Sequence, residues 1–477
     1  MRLTSSRNQS VDVDFKYAVL KGLAEDGGLF VPSRFPRLTL EDLDRLARGM
    51  GKGVEDLQFP ELVEIIWNLY AELDKPVLHE DIVSSYEHFP IPLIRAGELN
   101  ILELFNGGSA AFKDVALSLF PKIVRQCMES EGATDSDVFF ITATSGDTGK
   151  AAMEGIKHQP GMKLAVIYPS GGVSDLQERQ MLSEKAENIK VIPINGDFDA
   201  AQRAVKEVLL SGRITNASSC NSINIARLVT QISYYYHGFI SFHKNRAMAN
   251  QPLDFIVPSG NFGNILAGYY AKAMGLPIGK LVAATNKNDV LWEFINTGVY
   301  DGRRQLFKTT SPSMDIIISS NIERLLYHKL GADQTRQLMA QLAKTGQYTV
   351  DPAVLSDFAA YRSNDEEASA MIKAVYEQTG YIMDPHTACG AVAWEKSGKP
   401  ANAVLLSTAS PFKFPLTIIN ALEIKVADER EAFQKLAELT PVHPALANIY
   451  EKELKPKTVT EIQDVFSELL KFQGGGN

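Results

Sequence analysis

Apolar residues follow two rhythms along this chain, and the change falls near residue 95. Ahead of it, Phe15 to Leu23, Leu38 to Met50 and Pro60 to Leu73 carry apolar residues at helical spacing, which predicts three amphipathic helices. The first ends at a glycine-rich turn, Glu25-Asp-Gly-Gly-Leu-Phe-Val-Pro32. Pro90, Pro92 and Gly97 mark a boundary before the strand-like Leu99 to Phe105. Beyond it, short apolar runs meet small-residue turns and then helical spacing. Val138 to Ala143 enters Thr144-Ser-Gly-Asp-Thr-Gly149, and Lys163 to Tyr168 enters Pro169-Ser-Gly-Gly172. Lys190 to Ile194 precedes Asn195-Gly-Asp197 and a helix from Ala200 to Leu210. Asp254 to Pro258 enters Ser259-Gly-Asn-Phe-Gly-Asn264 and a helix from Ile265 to Met274, while Leu281 to Thr285 and Ala403 to Leu406 read as further strands. This alternation predicts an α/β fold with two parallel-sheet, helix-covered domains behind a mainly helical N-terminal domain. The expected units are 1–95, 96–250, 251–425 and a charged, helical, outward-packed segment at 426–477.

With 477 residues, 45% of them hydrophobic, the chain exceeds one core, so two or three domains are expected. A net charge of −9 argues against nucleic-acid or anionic-membrane partners, which need an excess of Lys and Arg. A small anion needs only a local cluster. Cys127, Cys220 and Cys389 are far apart, which fits a reducing compartment and not a cysteine-rich zinc site. The eight histidines show no H-E-x-x-H spacing, so no metal is expected. Residues 1–16 lack the apolar core of a signal peptide, and no run nears the ~18 apolar residues of a membrane span. A cytoplasmic protein is expected, a monomer or a homodimer.

Within Phe105-Asn-Gly-Gly-Ser-Ala-Ala-Phe-Lys113-Asp-Val-Ala-Leu-Ser-Leu-Phe120, one lysine lies between small residues and an apolar run that reads as the start of a buried helix. Desolvation there lowers an ammonium's pKa, as a Schiff-base lysine requires. The same pattern also suits a lysine with a packed stem and a hydrated head. The loops 144–149 and 259–264 each join a strand to a helix. Backbone N–H groups freed by glycine at such a helix start bind phosphate well, although either loop could be an ordinary turn. Gly149-Lys150 is not a P-loop, because Thr144 stands at its first glycine and Ala151 where magnesium needs a hydroxyl. His386 in Asp384-Pro-His-Thr-Ala-Cys-Gly390 fits a structural or a catalytic role equally. An imine-forming lysine with a phosphate cradle suggests pyridoxal phosphate, and Ser407-Thr-Ala-Ser410 at a strand end offers a hydroxyl for its ring nitrogen.

These residues carry a resemblance. The chain resembles the threonine synthases in their long form, fold-type-II pyridoxal-phosphate enzymes of the tryptophan synthase beta-like kind. The likeness runs from Gly22–Pro32 through Ala111-Phe-Lys-Asp114, Thr144–Gly149, Asn221-Ser-Ile-Asn224 with Arg227, and Ser259–Asn264. It continues through Asn286-Lys-Asn-Asp289, Ser313-Met-Asp315, Asp384–Gly390 and Ser407-Thr-Ala409. It implies that Lys113 bears the cofactor and later shuttles protons, and that Gly260, Asn261, Phe262, Gly263 and Asn264 hold its phosphate. Asp147 falls where the family faces the phenolic oxygen, and Thr408 where it faces the ring nitrogen. Thr144, Ser145 and Thr148 are expected on the substrate carboxylate; Asn221, Ser222, Asn224 and Arg227 are expected on the substrate phosphate. The implied reaction takes O-phospho-L-homoserine and water to L-threonine and phosphate. Two departures stand out: Asn106-Gly-Gly-Ser109 replaces a His-Gly-Pro-Thr type run, and Ser410 with Phe412 replaces a histidine-bearing segment. They leave open a related phospho-lyase that releases 2-oxobutyrate, or a catalytically silent protein on the same scaffold.

Overall fold

Six strands make the larger sheet, in the order Phe358–Arg362, Ile278–Thr285, Leu253–Pro258, Ala403–Ser407, Leu99–Glu103 and Leu93–Ala96. All neighbours run parallel except the last pair. A second, wholly parallel sheet has the order Thr460–Glu461, Ile189–Asn195, Met162–Pro169, Val138–Ala143 and Ala217–Ser219. The computed structural model describes residues 1–71, 79–130, 138–144, 146–244 and 251–474. Val138–Ala143 is buried end to end and Leu253–Pro258 at every position but Asp254, as near-continuous apolar runs demand when helices cover both faces. Leu99–Glu103 joins strands from 253–407 and not the sheet that follows it in sequence.

The N-terminal helices form where apolar spacing places them, at Phe15–Lys21, Leu40–Gly49 and Phe59–Ala71. Asp14 caps the first and Gly22, at φ 72°, ends it in the left-handed conformation that glycine tolerates. Thr39 and Asp42 build a capping box on the second. Beside these lies an antiparallel sheet that apolar spacing does not announce, with Arg2–Ser5 between Asn8–Asp14 and Phe30–Pro32.

The expected buried helix after Lys113 is broken into Asp114–Leu117 and Phe120–Ser130. Pro121 has no N–H to give the Leu117 carbonyl, so the helix restarts there. Gly155 packs against that freed carbonyl so closely that a Cβ would stand 2.2 Å from it.

Helix Ile225–His243 is buried nearly all along its length, its polar residues Arg227 and Gln231 included. Tyr236 donates to Leu38 O (2.7 Å) and Trp67 donates to Thr230 Oγ1 (3.2 Å), which fastens it to the N-terminal helices. Its other side meets the loop after Leu253–Pro258. At the C-terminus, Glu429–Leu439 buries Phe433 and Leu436 with the larger sheet's core, and Val465–Gln473 packs on the smaller one. Among the described residues no helix is long and apolar enough to cross a membrane.

Candidate active site

Lys113 is presented by a turn. Ala110, at φ 59°, donates to Gly107 O, and an antiparallel bridge then joins Ala111 to Ala409. Phe112 N donates to Thr408 O (2.9 Å) and Ser410 N to Ala110 O (3.0 Å), so the lysine turn is tied to the segment that follows strand Ala403–Ser407. The turn wraps over Asp114, whose Oδ2 accepts from Ser109 N (2.8 Å). A Cβ on Gly107 would meet that side chain at 2.6 Å.

The Lys113 side chain is 13% exposed, and its Nζ donates to Asp147 Oδ2 (3.1 Å). Burial lowers its pKa; Asp147 opposes this, and the cations Lys413 and Arg227 reinforce it. Asp147 opens helix Asp147–Ile156 after Gly146 at φ 124°. Burial pushes its carboxyl up, but Lys113 and Lys413 overcome that and hold it well below the usual carboxylate range. Oδ1 accepts from Lys413 Nζ (2.7 Å) and Gln177 Nε2 (2.8 Å), and Oδ2 also accepts from Ser313 Oγ (3.0 Å). Ser313 is positioned in turn by His386. The Nε2 of His386 accepts from Ser313 N (3.1 Å), and its Nδ1 faces Asp384 Oδ1 at 2.7 Å. His386 thereby links Ser313 to Asp384 at the start of helix Pro385–Lys396.

Opposite Lys113 lies the loop 259–264. Phe262, at φ 62°, turns it into helix Gly263–Met274, whose first N–H groups have no partner within the helix. Tyr234 and Tyr235 from the buried helix both donate to Asn264 Oδ1 (2.6 and 2.9 Å). Asn264 Nδ2 and Asn261 Oδ1 are buried without a hydrogen-bond partner among the described residues. Asn321 Nδ2 bonds Asn261 O and Ser222 Oγ (both 3.1 Å), tying this loop to segment 221–224. Arg324, fully buried, holds that segment to the N-terminal sheet, with bonds to Phe30 O (3.0 Å), Ser222 O (3.1 Å) and Ile223 O.

Arg227 forms the cationic wall. It is 3% exposed, its Nη1 donates to Cys220 O (3.0 Å), and its Nε has no partner among the described residues. Burial lowers its pKa to about 10, so the guanidinium is charged at neutral pH. A buried cation with a free donor and, among the described residues, no ion-paired carboxylate calls for an anion.

One pocket is lined by Lys113, Asp147, Thr148, Asn221, Ser222, Arg227, the loop 260–264 and Thr408. Three expected residues stand differently. Thr144 Oγ1 is taken by Gly146 N and Gly149 N (both 2.9 Å), so it braces the loop and does not line the pocket. Asn224 caps helix Ile225–His243 and donates to Val19 O (2.9 Å), so its amide is spent on the backbone and it is not among the pocket-lining residues. Ser145 lies outside the described residues. Asn221 does line the pocket, although its amide is engaged with Ala143 on both sides. Asn106, Gly108, Ser410 and Phe412 are not among the lining residues; Asn106 donates to Pro90 O (3.1 Å), and Phe412 packs on Phe433.

Sequence reasoning missed Lys413, Gln231 and Phe198. The first had the same signal as Lys113, a single ammonium among apolar neighbours in Pro411-Phe-Lys-Phe-Pro415. Gln231 follows Arg227 by four positions, which puts both on one helix face.

Comparison with known proteins gives a consistent picture. A family model described as threonine synthase N terminus matches residues 2–86, and one described as pyridoxal-phosphate dependent enzyme matches 86–408. The chain is 36% identical to a threonine synthase of Saccharomyces cerevisiae over 86% of its length and 87% of that protein's. It is 34% identical to one of Pseudomonas aeruginosa over 98% of both. The crystal structure of a pyridoxal-phosphate-bound threonine synthase from Brucella melitensis superposes with a TM-score of 0.85 at 32% identity, covering 99% of both chains.

Proposed function

The chain belongs to the threonine synthases, and from that premise we propose that it converts O-phospho-L-homoserine and water to L-threonine and phosphate in the cleft around Lys113. It is a pyridoxal-phosphate-dependent lyase of fold type II. The residues present fit that cofactor. A buried amine stands on one side of the pocket, and on the other lie a glycine-bearing helix start and an unpartnered Asn264 Nδ2. Gly260 leaves no room for a side chain, since a Cβ would stand 2.7 Å from Ser313 O. When bound, pyridoxal phosphate supplies an electron sink for carbanion chemistry next to the substrate nitrogen.

The chain's own residues do the rest. Residues 260–264 would hold the cofactor phosphate through backbone N–H groups and Asn264, and Thr408 would offer a neutral hydroxyl to the ring nitrogen. Arg227, with Ser222 and Asn221 beside it, binds the substrate phosphate, where a planar guanidinium offers two parallel donors. Thr148 and Ser145 bind the substrate carboxylate. Lys113 Nζ would take the proton from Cα and, once that proton has been passed on, the one from Cβ, and would return protons to Cγ and Cα after phosphate has left, while Asp147 and Ser313 keep that nitrogen aimed. Phosphate leaves from Cγ under Arg227, and water adds at Cβ. Burial of Lys113 and Arg227 keeps bulk water off both groups. The four-part division of the chain, cytoplasmic residence and a monomer or homodimer belong to the same proposal.

The observation that carries this reading is Arg227, a buried cation with a free donor in the pocket that also holds Lys113. The test is incubation with O-phosphohomoserine, following phosphate and the organic product together. Threonine and phosphate in equal amounts support it. Phosphate with 2-oxobutyrate and ammonia, or no turnover, contradicts it.

A further inference from the structure

The chemistry above leaves unused a buried ammonium that shares Asp147 with Lys113. Lys413 is fully buried at the end of the turn Pro411–Lys413, and its Nζ reaches Asp147 Oδ1 at 2.7 Å and Ser109 O at 3.0 Å. Its backbone N is fixed to Ser410 O (3.0 Å), so the charge is held from both ends of the side chain. Asp147 therefore sits between two lysines, Lys413 on Oδ1 and Lys113 on Oδ2.

The two lysines differ in what the reaction asks of them. Lys113 must give up its charge whenever it joins the cofactor aldehyde or accepts a proton as a free amine. At those moments an Asp147 paired with Lys113 alone becomes a buried carboxylate with no cation. Such a group takes up a proton or shifts, and either outcome removes the acceptor that aims Lys113. A second cation bonded to the opposite oxygen prevents this. We propose that Lys413 is a positioning residue that keeps the Asp147 carboxylate ionised and in place while Lys113 alternates between its charged and neutral forms. This rests on Lys113 being the cofactor-bearing amine.

The charged and titratable groups around the trio are few. Asp147 faces Lys113, Lys413 and His386; Lys113 also faces Arg227 and Lys413. Lys413 further faces Asp114 and His443. Removing the Lys413 charge leaves Lys113 and Asp147 as an isolated pair, which favours the ammonium form of Lys113.

The test uses cofactor-free protein. The Lys113 amine and the aldehyde of pyridoxal phosphate join with loss of water, and borohydride delivers hydride to the new C=N bond, locking the label on the nitrogen. The yield at short times is measured against pH for wild type and Lys413→Met, with thermal melting of each cofactor-free protein alongside. The expected result is a midpoint about one pH unit higher in Lys413→Met, a roughly tenfold slower labelling below the midpoint. An unmoved midpoint with a lowered melting temperature would mean a structural role only and overturn the proposal. Should Lys413→Met fail to fold, Lys413→Arg keeps the charge and must keep the wild-type midpoint; an upward shift there overturns it equally. Wild-type label on a lysine other than Lys113 would instead defeat the reading on which the proposal rests.

Discussion

Lys113 Nζ and Asp147 Oδ2 lie 3.1 Å apart where the lysine side chain is 13% exposed and the aspartate side chain 3%. In the proposed function this pair is the nucleophilic nitrogen and the group that aims it, both largely buried. Asp147→Asn leaves two buried ammonium groups facing a neutral amide and should cost about 3–5 kcal/mol in denaturant unfolding. The carboxyl is held below its ordinary range, so its contribution is present above about pH 4 and is lost as pH falls further. The stability gap between wild type and Asp147→Asn should therefore narrow in acid. A gap independent of pH between 6 and 3 would show that Asp147 is not the charge partner described.

Arg227 makes a prediction with opposite signs. Arg227→Met removes a buried cation whose Nε is unpartnered, so stability should hold or rise. The same change removes the proposed phosphate grip and should raise KM for O-phosphohomoserine about a hundredfold, as expected for losing ~3 kcal/mol of charge-assisted bonding. Melting temperature and steady-state kinetics on one preparation check both. Loss of stability with an unchanged KM would place Arg227 in the scaffold.

Asp114 lies beneath the lysine turn at 1% exposure, and burial raises its carboxyl to about 6 in spite of the Ser109 N–H bonded to it. A raised carboxyl contributes stability that is whole below the unfolded value near 4 and is lost as pH rises through about 6. Asp114→Asn keeps an acceptor without the charge. Relative to wild type it should therefore gain about 3 kcal/mol between pH 4 and pH 8. Parallel unfolding curves at both pH values would contradict this.

Gly260→Ala tests the cofactor-phosphate loop. Its Cβ would stand 2.7 Å from Ser313 O and 3.2 Å from Met314 Cα, and neither is the flexible end of a side chain. The segment carrying Ser313 must shift, which breaks the Ser313–Asp147 bond and distorts the loop. Affinity for pyridoxal phosphate should fall at least tenfold while the cofactor-free protein still melts cooperatively. Fluorescence titration with the cofactor reads the first and calorimetry the second.

Regular elements were legible wherever burial is two-sided or periodic. Val138–Ala143 forms as read, since six apolar or small residues in a row have no polar face to mislead. The strand Asn8–Asp14 escaped because only Val11 and Val13 alternate in a polar run with no fully buried position. Sheet membership escaped for another reason: Leu99–Glu103 pairs with Leu405–Ser407, some three hundred residues away, and no local pattern encodes that. Within the site, motif order located the loops but not how each side chain is used. Thr144 and Asn224 sit in them, yet their polar atoms are claimed by backbone groups freed at helix starts. Lys413 was readable by the logic that singled out Lys113, but its partner Asp147 lies 266 positions away and only the fold joins them.

Two lysines flank one aspartate, and the account assigns the cofactor to just one of them. Borohydride reduction of the protein loaded with pyridoxal phosphate, followed by peptide mass mapping, decides the assignment. The account predicts a single label on the peptide carrying Lys113 and none on the peptide carrying Lys413. A label on Lys413, or on any other lysine, would contradict it.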